Sequence, residues 1–537
     1  MLSDFVMSEY RRGRPAALPF TEGFHYYVSC KNYICGCYLV KGCKDDAACL
    51  ISAMALGSAS ATDSFPARLC LDHGRFIAPL ISVEPRTGYY DFHMTAPNKI
   101  IIIGGGFSGL SAAYDLSRRG FDIEVLESDR EVGGLAGSFD VGGTRLEKFY
   151  HHWFTNDRHV MDLIQELGAH ANVRLKPTQT GMYWAHNFYR LSSPLDVLRF
   201  NPLKPLDRIR LGLMVLRARK VEHWKELEAL TAQEWIRQIG GEPVYRIVWE
   251  PLLRGKFGPY ADDISAVWFW NKLKLRGGSR GKGGGENLAY YQGGFIALAE
   301  AMVKAIVAAG GLVRTSVPVQ GLEIQGGRIS GVVTRDSVVK SDVVIATQAL
   351  PIIADWLAPH ADRDYVQSLR QIQYLANVCL VLQLDRSLSN TYWLNVNDPK
   401  FPFVGVIEHT NFQPPETYAG RHIVYLSKYA PEDAELMRMT DEQVFEFSLP
   451  HIQRMFPRFT RAWVKDYHVW RARYAQPVVV RHYGKLIPEA QTPISGLYLC
   501  SMAQVYPEDR GTNYAIREGR KLARTIAAQR PRVPNEV

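Results

Sequence analysis

The 537-residue chain has no apolar stretch of the ~18 residues needed to span a bilayer as one helix. Its cysteines are few and poorly spaced for a metal or disulfide framework. Six of the eight, Cys30, Cys35, Cys37, Cys43, Cys49 and Cys70, fall in the first 93 residues, and their spacings match no paired C-x-x-C zinc knuckle. The rest of the chain keeps only Cys379 and Cys500, which favours a reduced, cytoplasmic setting over export. Residues 1–20 lack a basic start followed by an unbroken apolar core, so they do not read as a secretion signal. The net charge is only +9, and the first 93 residues contribute nine Lys/Arg against nine Asp/Glu, so the excess is spread thinly over the remainder. No DNA- or RNA-reading motif accompanies it, and no nucleic-acid partner is expected. The loop Ser279-Arg-Gly-Lys-Gly-Gly-Gly285 does not close with Gly-Lys-Ser/Thr, which excludes a phosphate-binding P-loop and leaves a flexible segment, a candidate lid. No Ser/His/Asp arrangement and no metal-ligand spacing offers a catalytic centre.

What is present is a dinucleotide signature. Ile100 to Ile103 is a continuous β-branched run, suited to a strand buried on both faces of a parallel sheet. Gly104-x-Gly106-x-x-Gly109 follows at once, with Phe107 and Ser108 inside it. The first glycine permits a tight turn, the second lets backbone N–H groups approach a pyrophosphate, and the third lets a helix pack against the strand. That helix is expected over 108–119, stopped by Gly120, with its positive end towards the ligand. A second strand, Asp122 to Leu126, runs into Glu127 and Ser128, roughly 20 residues past the glycines, where a carboxylate would hold an unphosphorylated ribose. This points to FAD or NAD rather than NADP.

A second glycine cluster, Gly133, Gly134 and Gly137, lies just beyond. It resembles the second pyrophosphate and flavin contact of the FAD-dependent amine oxidase superfamily, which includes protoporphyrinogen oxidases, phytoene desaturases and UDP-galactopyranose mutases. Many members carry Arg after this glycine pair, where this chain has Leu135. Further segments extend the resemblance in order. Tyr291 to Met302 reads as a glycine turn into a helix, and residues 310–334 read as short strands with a Gly326-Gly327 hairpin turn. The resemblance implies adenine contacts from Val317 and a returning strand that brings Ala346 and Thr347 beside the cofactor. Gly496 to Cys500 then reads as a strand, and a long helix is expected over 513–528, opened by the loop through Asp509, Arg510, Gly511, Thr512 and Asn513. In the superfamily that loop faces the flavin O2 end. The Gly-Asp that often follows the strand is Ser501-Met502 here, and Asp509 is the candidate replacement for the Asp contact.

The resemblance implies an α/β fold. A Rossmann-like FAD-binding domain is discontinuous over 98–150, 288–352 and 491–529, and an α+β substrate-binding domain is inserted as 151–287 and 353–490. The first insert block reads as mainly helical, with apolar three-and-four spacing over 160–167 and 206–230 and a Thr231-x-x-Glu234 capping box. The second reads as a mixed sheet from runs at 375–384, 403–408, 422–428 and 463–469. His151 and His152, among the aromatics of residues 147–154, are candidate contacts to flavin or substrate. Lys256 and Arg254, in Trp249 to Gly258, are candidates for recognising an acidic substrate group. Of these, His151, His152 and Lys256 are the catalytic candidates. Arg208, Arg210, Arg217, Arg219 and Lys220 beside Ile209, Leu213, Met214 and Leu216 make a basic amphipathic helix, suited to peripheral membrane contact.

The expected activity is hydride transfer from a small organic, lipophilic substrate to flavin N5. The rivals are a UDP-galactopyranose mutase-like isomerase and a non-catalytic flavin-binding protein. Residues 1–93 are expected not to form a folded domain, with Met94 the functional start. The alternative is a small metal- or redox-linked appendage.

Overall fold

The computed structural model describes residues 99–191, 193–278 and 286–530, together with the backbone of three strands nearer the N-terminus. The chain divides into two compact units, Met1–Asp91 and Phe92–Val537. In the first, Tyr26–Cys30, Tyr33–Tyr38 and Leu50–Met54 pair as an antiparallel three-stranded sheet. The expectations for residues 1–93, and the one for the 279–285 loop, lie outside the described residues.

The two largest sheets of the second unit organise it. The first joins five strands in parallel: β1 (Lys99–Ile103), β2 (Asp122–Leu126), β3 (Leu312–Arg314), β4 (Val343–Ala346) and β5 (Leu497–Leu499), in spatial order 3-2-1-4-5. Ile100, Ile101, Ile102, Val343, Val344 and Ile345 have no exposed surface, as a strand covered on both faces requires. Helix α1 (Phe107–Ser117) covers one face, and the long helix α2 (Thr512–Gln529) packs against it. The order of these strands explains the interrupted sequence. The chain leaves after β2, returns for β3 and β4, leaves again, and returns for β5. The carboxyl ends of all five strands therefore meet along one edge, the place where open parallel sheets bind ligands.

The second sheet has seven strands in the order Asn187–Arg190, Thr180–Trp184, Trp393–Val396, Gly405–Glu408, His422–Ala430, Tyr374–Leu384 and Val464–Pro477. The expected runs of residues 353–490 are all here. The first insert block, however, is less helical than its spacing suggested. It contains the strands Trp153–Phe154, Val173–Thr178, Thr180–Trp184 and Asn187–Arg190, the last two in this sheet, and Thr180–Trp184 pairs in parallel with Trp393–Val396 from the other block. Nothing local encodes a pairing across some 200 residues of chain. The helix expected over 206–230 ends at Arg219, and residues 224–229 form a separate 3-10 turn. Thr231 caps the next helix, Ala232–Gly240, as its spacing predicts: its side chain accepts from Glu234 N, and Glu234 accepts from Thr231 N at 2.8 Å. The Gly326-Gly327 hairpin joins Val319–Gln325 to Arg328–Thr334.

Candidate active site

The first glycine turn sits directly on the carboxyl end of β1. A side chain at Gly109 would run into the Gly104 carbonyl, so only glycine lets α1 start this close to the strand. α1 begins at Gly106 with no side-chain cap and no acidic residue in its first turn, which leaves its leading N–H groups unpartnered by side chains. The second glycine turn faces the first: a Cβ on Gly134 would come 3.3 Å from the Gly106 Cα. Gly133 N donates to Gly105 O at 2.9 Å, fixing the two turns together, and Leu135 follows in a short 3-10 turn.

Glu127 lies just past the end of β2, buried; its Oε2 accepts from Gly105 N at 2.6 Å, and its Oε1 accepts from Asp129 N at 2.8 Å and from the Ser128 hydroxyl at 3.1 Å. Val317 N donates to Glu127 O at 2.8 Å, which places the expected adenine contact beside the expected ribose contact. Thr347 follows Ala346 at the end of β4, and its hydroxyl donates to Ile103 O at 2.8 Å. Residues from four distant stretches thus line one edge of the parallel sheet.

The second focus is the loop that opens α2. α2 also starts without a side-chain cap, at Gly511. Thr512 accepts from Trp153 Nε1 at 2.7 Å, and Asn513 accepts from Val160 N at 3.1 Å, so both side chains tie the loop to the 147–160 segment. That segment is pinned from its other end by Glu147. The buried Glu147 carboxylate accepts from Phe295 N at 2.7 Å and from Tyr290 OH, and burial raises its pKa.

His151 hangs between these anchors, its Nδ1 2.6 Å from Phe149 O. Burial lowers its pKa to about 4, and the nearby Arg510 charge adds to the fall. The ring is therefore neutral near pH 7. With Nδ1 as the donor to Phe149, Nε2 is left as an acceptor. His152 points elsewhere, with Nδ1 3.0 Å from Tyr392 OH, among Phe154, Tyr392 and Trp393.

Asp509 and Lys256 come together across more than 250 residues of sequence. Asp509 is buried and lies 2.6 Å from Lys272 Nζ and 3.6 Å from Lys256 Nζ, and it accepts from Gln476 at 3.1 Å. Burial alone would raise its carboxyl pKa, but Lys272, Lys256 and Arg510 outweigh that and hold it below the ordinary carboxylate range. Lys256 is only 16% exposed and is ringed by Phe257, Trp268 and Tyr429. Burial lowers its pKa to about 7, the opposing pull of Asp509 notwithstanding. Arg254 instead pairs with Glu250 and Asp262 at the surface.

Several residues at this focus carry no motif. Arg510 donates to Tyr429 OH at 2.7 Å. Asn377 donates to Ser427 Oγ at 2.9 Å, and the Tyr150 hydroxyl lies 3.3 Å from the same oxygen. Asn377 sits opposite Tyr429, and Cys379 opposite Ser427, on adjacent strands. The available signal was a buried polar residue interrupting an apolar strand, which is costly unless it has partners. The two described thiols are unsuited to act as nucleophiles: burial raises the pKa of Cys379 strongly and that of Cys500 to about 12.

A family model for flavin containing amine oxidoreductase matches residues 107–527. The chain belongs to that family. The family's description names a flavin, and the uncapped helix starts and facing glycine turns fit such a cofactor. Among curated proteins it is similar to the zeta-carotene desaturase of Arabidopsis thaliana, 25% identical over 29% of this chain and 32% of that protein. It is similar too to the mitochondrial protoporphyrinogen oxidase of Nicotiana tabacum, 25% identical over 33% and 35%. These matches span about a third of the relatives' own length. A solved structure of reduced UDP-galactopyranose mutase shares the fold at a TM-score of 0.64, with 15% identity over 81% of this chain and 96% of that one. Among the described residues no helix is long and apolar enough to cross a membrane, and no His/Cys/Asp/Glu group is arranged to hold a metal.

Proposed function

We propose that this protein removes a hydride from a small, lipophilic organic substrate to flavin N5, with the substrate lying between the 147–154 segment, the two central strands of the mixed sheet and the loop through Asp509 and Arg510. The observation that carries this reading is the meeting of Lys256, Asp509, Arg510, Tyr429 and His151 at the start of α2, inside aromatic walls. A mostly apolar site with a few convergent polar groups is the usual form of a small-molecule site. FAD supplies the hydride acceptor. Gly104, Gly106, Phe107, Ser108 and Gly109 would hold its pyrophosphate with Gly133, Gly134 and Leu135, Glu127 and Ser128 would hold its ribose, and Val317, Ala346 and Thr347 would line its path.

Lys256 is suited to exchange a proton at neutral pH, because its pKa of about 7 leaves both forms populated. Neutral His151 offers Nε2 as a hydrogen-bond acceptor without adding charge. Arg510, Gly511 and the first N–H groups of α2 would supply positive potential to balance the negative charge of a reduced flavin.

The test is the visible spectrum of the purified protein, followed by anaerobic mixing with porphyrinogens, polyenes, amines and UDP-galactopyranose. Bleaching of the flavin band by one of the first three classes supports the proposal. Turnover of the sugar nucleotide only after dithionite reduction replaces it with the isomerase reading. A bound flavin inert to every class supports a non-catalytic role.

A further inference from the structure

Helix Pro205–Arg219 has two apolar faces. Leu211, Met214 and Ala218 point into the core. On the opposite side Leu206, Ile209, Leu213 and Leu216 recur at three and four spacing and are 60%, 52%, 44% and 53% exposed. At ~100° per residue these four fall within about a quarter of the helix circumference. The preceding helix, Pro194–Arg199, adds Leu195 and Leu198, 51% and 55% exposed. The two helices touch, and Arg208 locks them together by donating to Leu198 O at 2.8 Å and to Leu203 O at 2.8 Å. Core packing accounts for one face of the longer helix and leaves the other unexplained. Scattered exposed apolar side chains are ordinary, whereas five leucines and Ile209 on two touching helices form a patch.

The rim of the patch identifies what covers it. Arg199, Lys204, Arg217, Arg219 and Lys220 are all exposed around it. Within these two helices the acidic residues are Asp196, which forms the capping box with Ser193, and Asp207, which is buried against Arg210 at 2.9 Å. A leucine face bordered by cations is the complement of a bilayer whose surface is anionic and whose interior is apolar.

We infer that these two helices dock the protein on an anionic lipid surface, with Leu195, Leu198, Leu206, Ile209, Leu213 and Leu216 entering the headgroup–acyl boundary and the basic rim resting on the headgroups. The inference is independent of which substrate the flavin oxidises. Docking gives the protein direct access to molecules dissolved in the bilayer.

The experiment is co-sedimentation of the full chain with vesicles of phosphatidylcholine alone or with 30% phosphatidylglycerol, the oligomeric state being followed in parallel by light scattering. Expected is binding to the anionic vesicles that weakens with salt. Leu206→Ser with Leu213→Ser should abolish it, and Arg217→Gln with Lys220→Gln should weaken it by roughly fivefold per removed cation. All four positions are exposed, so unchanged flavin absorbance and melting temperature certify that the variants fold. Absence of binding to either vesicle overturns the inference. So does equal, salt-insensitive binding to both. So does a protein dimer that the leucine substitutions convert to monomer, since the face would then be an interface between copies.

Discussion

Replacing Asp509 by Asn should make Lys256 a far weaker base, and the size of the change follows from the geometry. Coulomb's law at an effective dielectric of ~20 gives about 4.6 kcal/mol between unit charges at the 3.6 Å that separate Lys256 Nζ from Asp509. Lys272 sits closer to the same carboxylate oxygen, at 2.6 Å, and screens part of that attraction, as does Arg510. A net loss of ~1.5–3 kcal/mol remains, a fall of about 10- to 100-fold in proton affinity. The assay is reductive methylation with 13C-formaldehyde and NMR titration of the dimethylated Lys256 resonance, assigned by its absence in Lys256→Met. The wild-type lysine should titrate near pH 7 and the Asp509→Asn variant well below it. Linkage supplies a second readout. The folded pKa of Lys256 lies below its unfolded value of 10.5, so between about pH 7 and 10.5 the unfolded chain holds more protons and stability rises with pH. Below pH 7 the penalty of the buried charge is borne in full. Lys256→Met should therefore gain most over wild type, in melting temperature, at pH 6 and least at pH 10. A wild-type titration near pH 10, or no change in Asp509→Asn, would refute the placement of Lys256 in a desolvated, Asp509-dependent site.

Gly109→Val should yield protein purified without its 450 nm flavin band, because a Cβ there collides with the Gly104 carbonyl and forces α1 off the strand. Thr231→Ala removes the cap of Ala232–Gly240 and should cost ~1 kcal/mol in urea unfolding while leaving the flavin spectrum untouched. His151 has its folded pKa depressed to about 4 from 6.5, so its contribution to stability is complete above pH 6.5 and lost as pH falls towards 4. His151→Gln should flatten the pH dependence of melting in that window, and a slope unchanged from wild type would show that the ring is solvated.

The parts legible in the sequence were those encoded locally. Gly104 to Gly109, the Thr231-x-x-Glu234 box and the Gly326-Gly327 turn each satisfy a requirement within a few residues of themselves, and Glu127, which accepts from Gly105 N, stands just past the end of its strand as its spacing predicts. What was hidden lies across the chain. The parallel pairing of Thr180–Trp184 with Trp393–Val396 turned an expected helical block partly into sheet, and no periodicity in either segment signals the partner. The same holds at the site. Asp509 was expected from its place in the loop, but its pairing with Lys256, Lys272 and Gln476 has no signal in the local sequence. Asn377, Ser427 and Tyr150 went unnoticed because their meaning is a shared hydrogen-bond network on adjacent strands. This division has a physical basis. The cofactor edge is read by backbone groups, which demand glycine and helix starts at fixed spacing whatever the substrate. The insert is read by side chains whose neighbours are set by tertiary pairing, so specificity can change there without disturbing a motif. Lys256 joins both regimes: it is carried on the insert, but its charge is balanced from the loop that opens α2. A change at Asp509 should therefore lower the proton affinity of Lys256, and a change at Lys256 should raise that of Asp509.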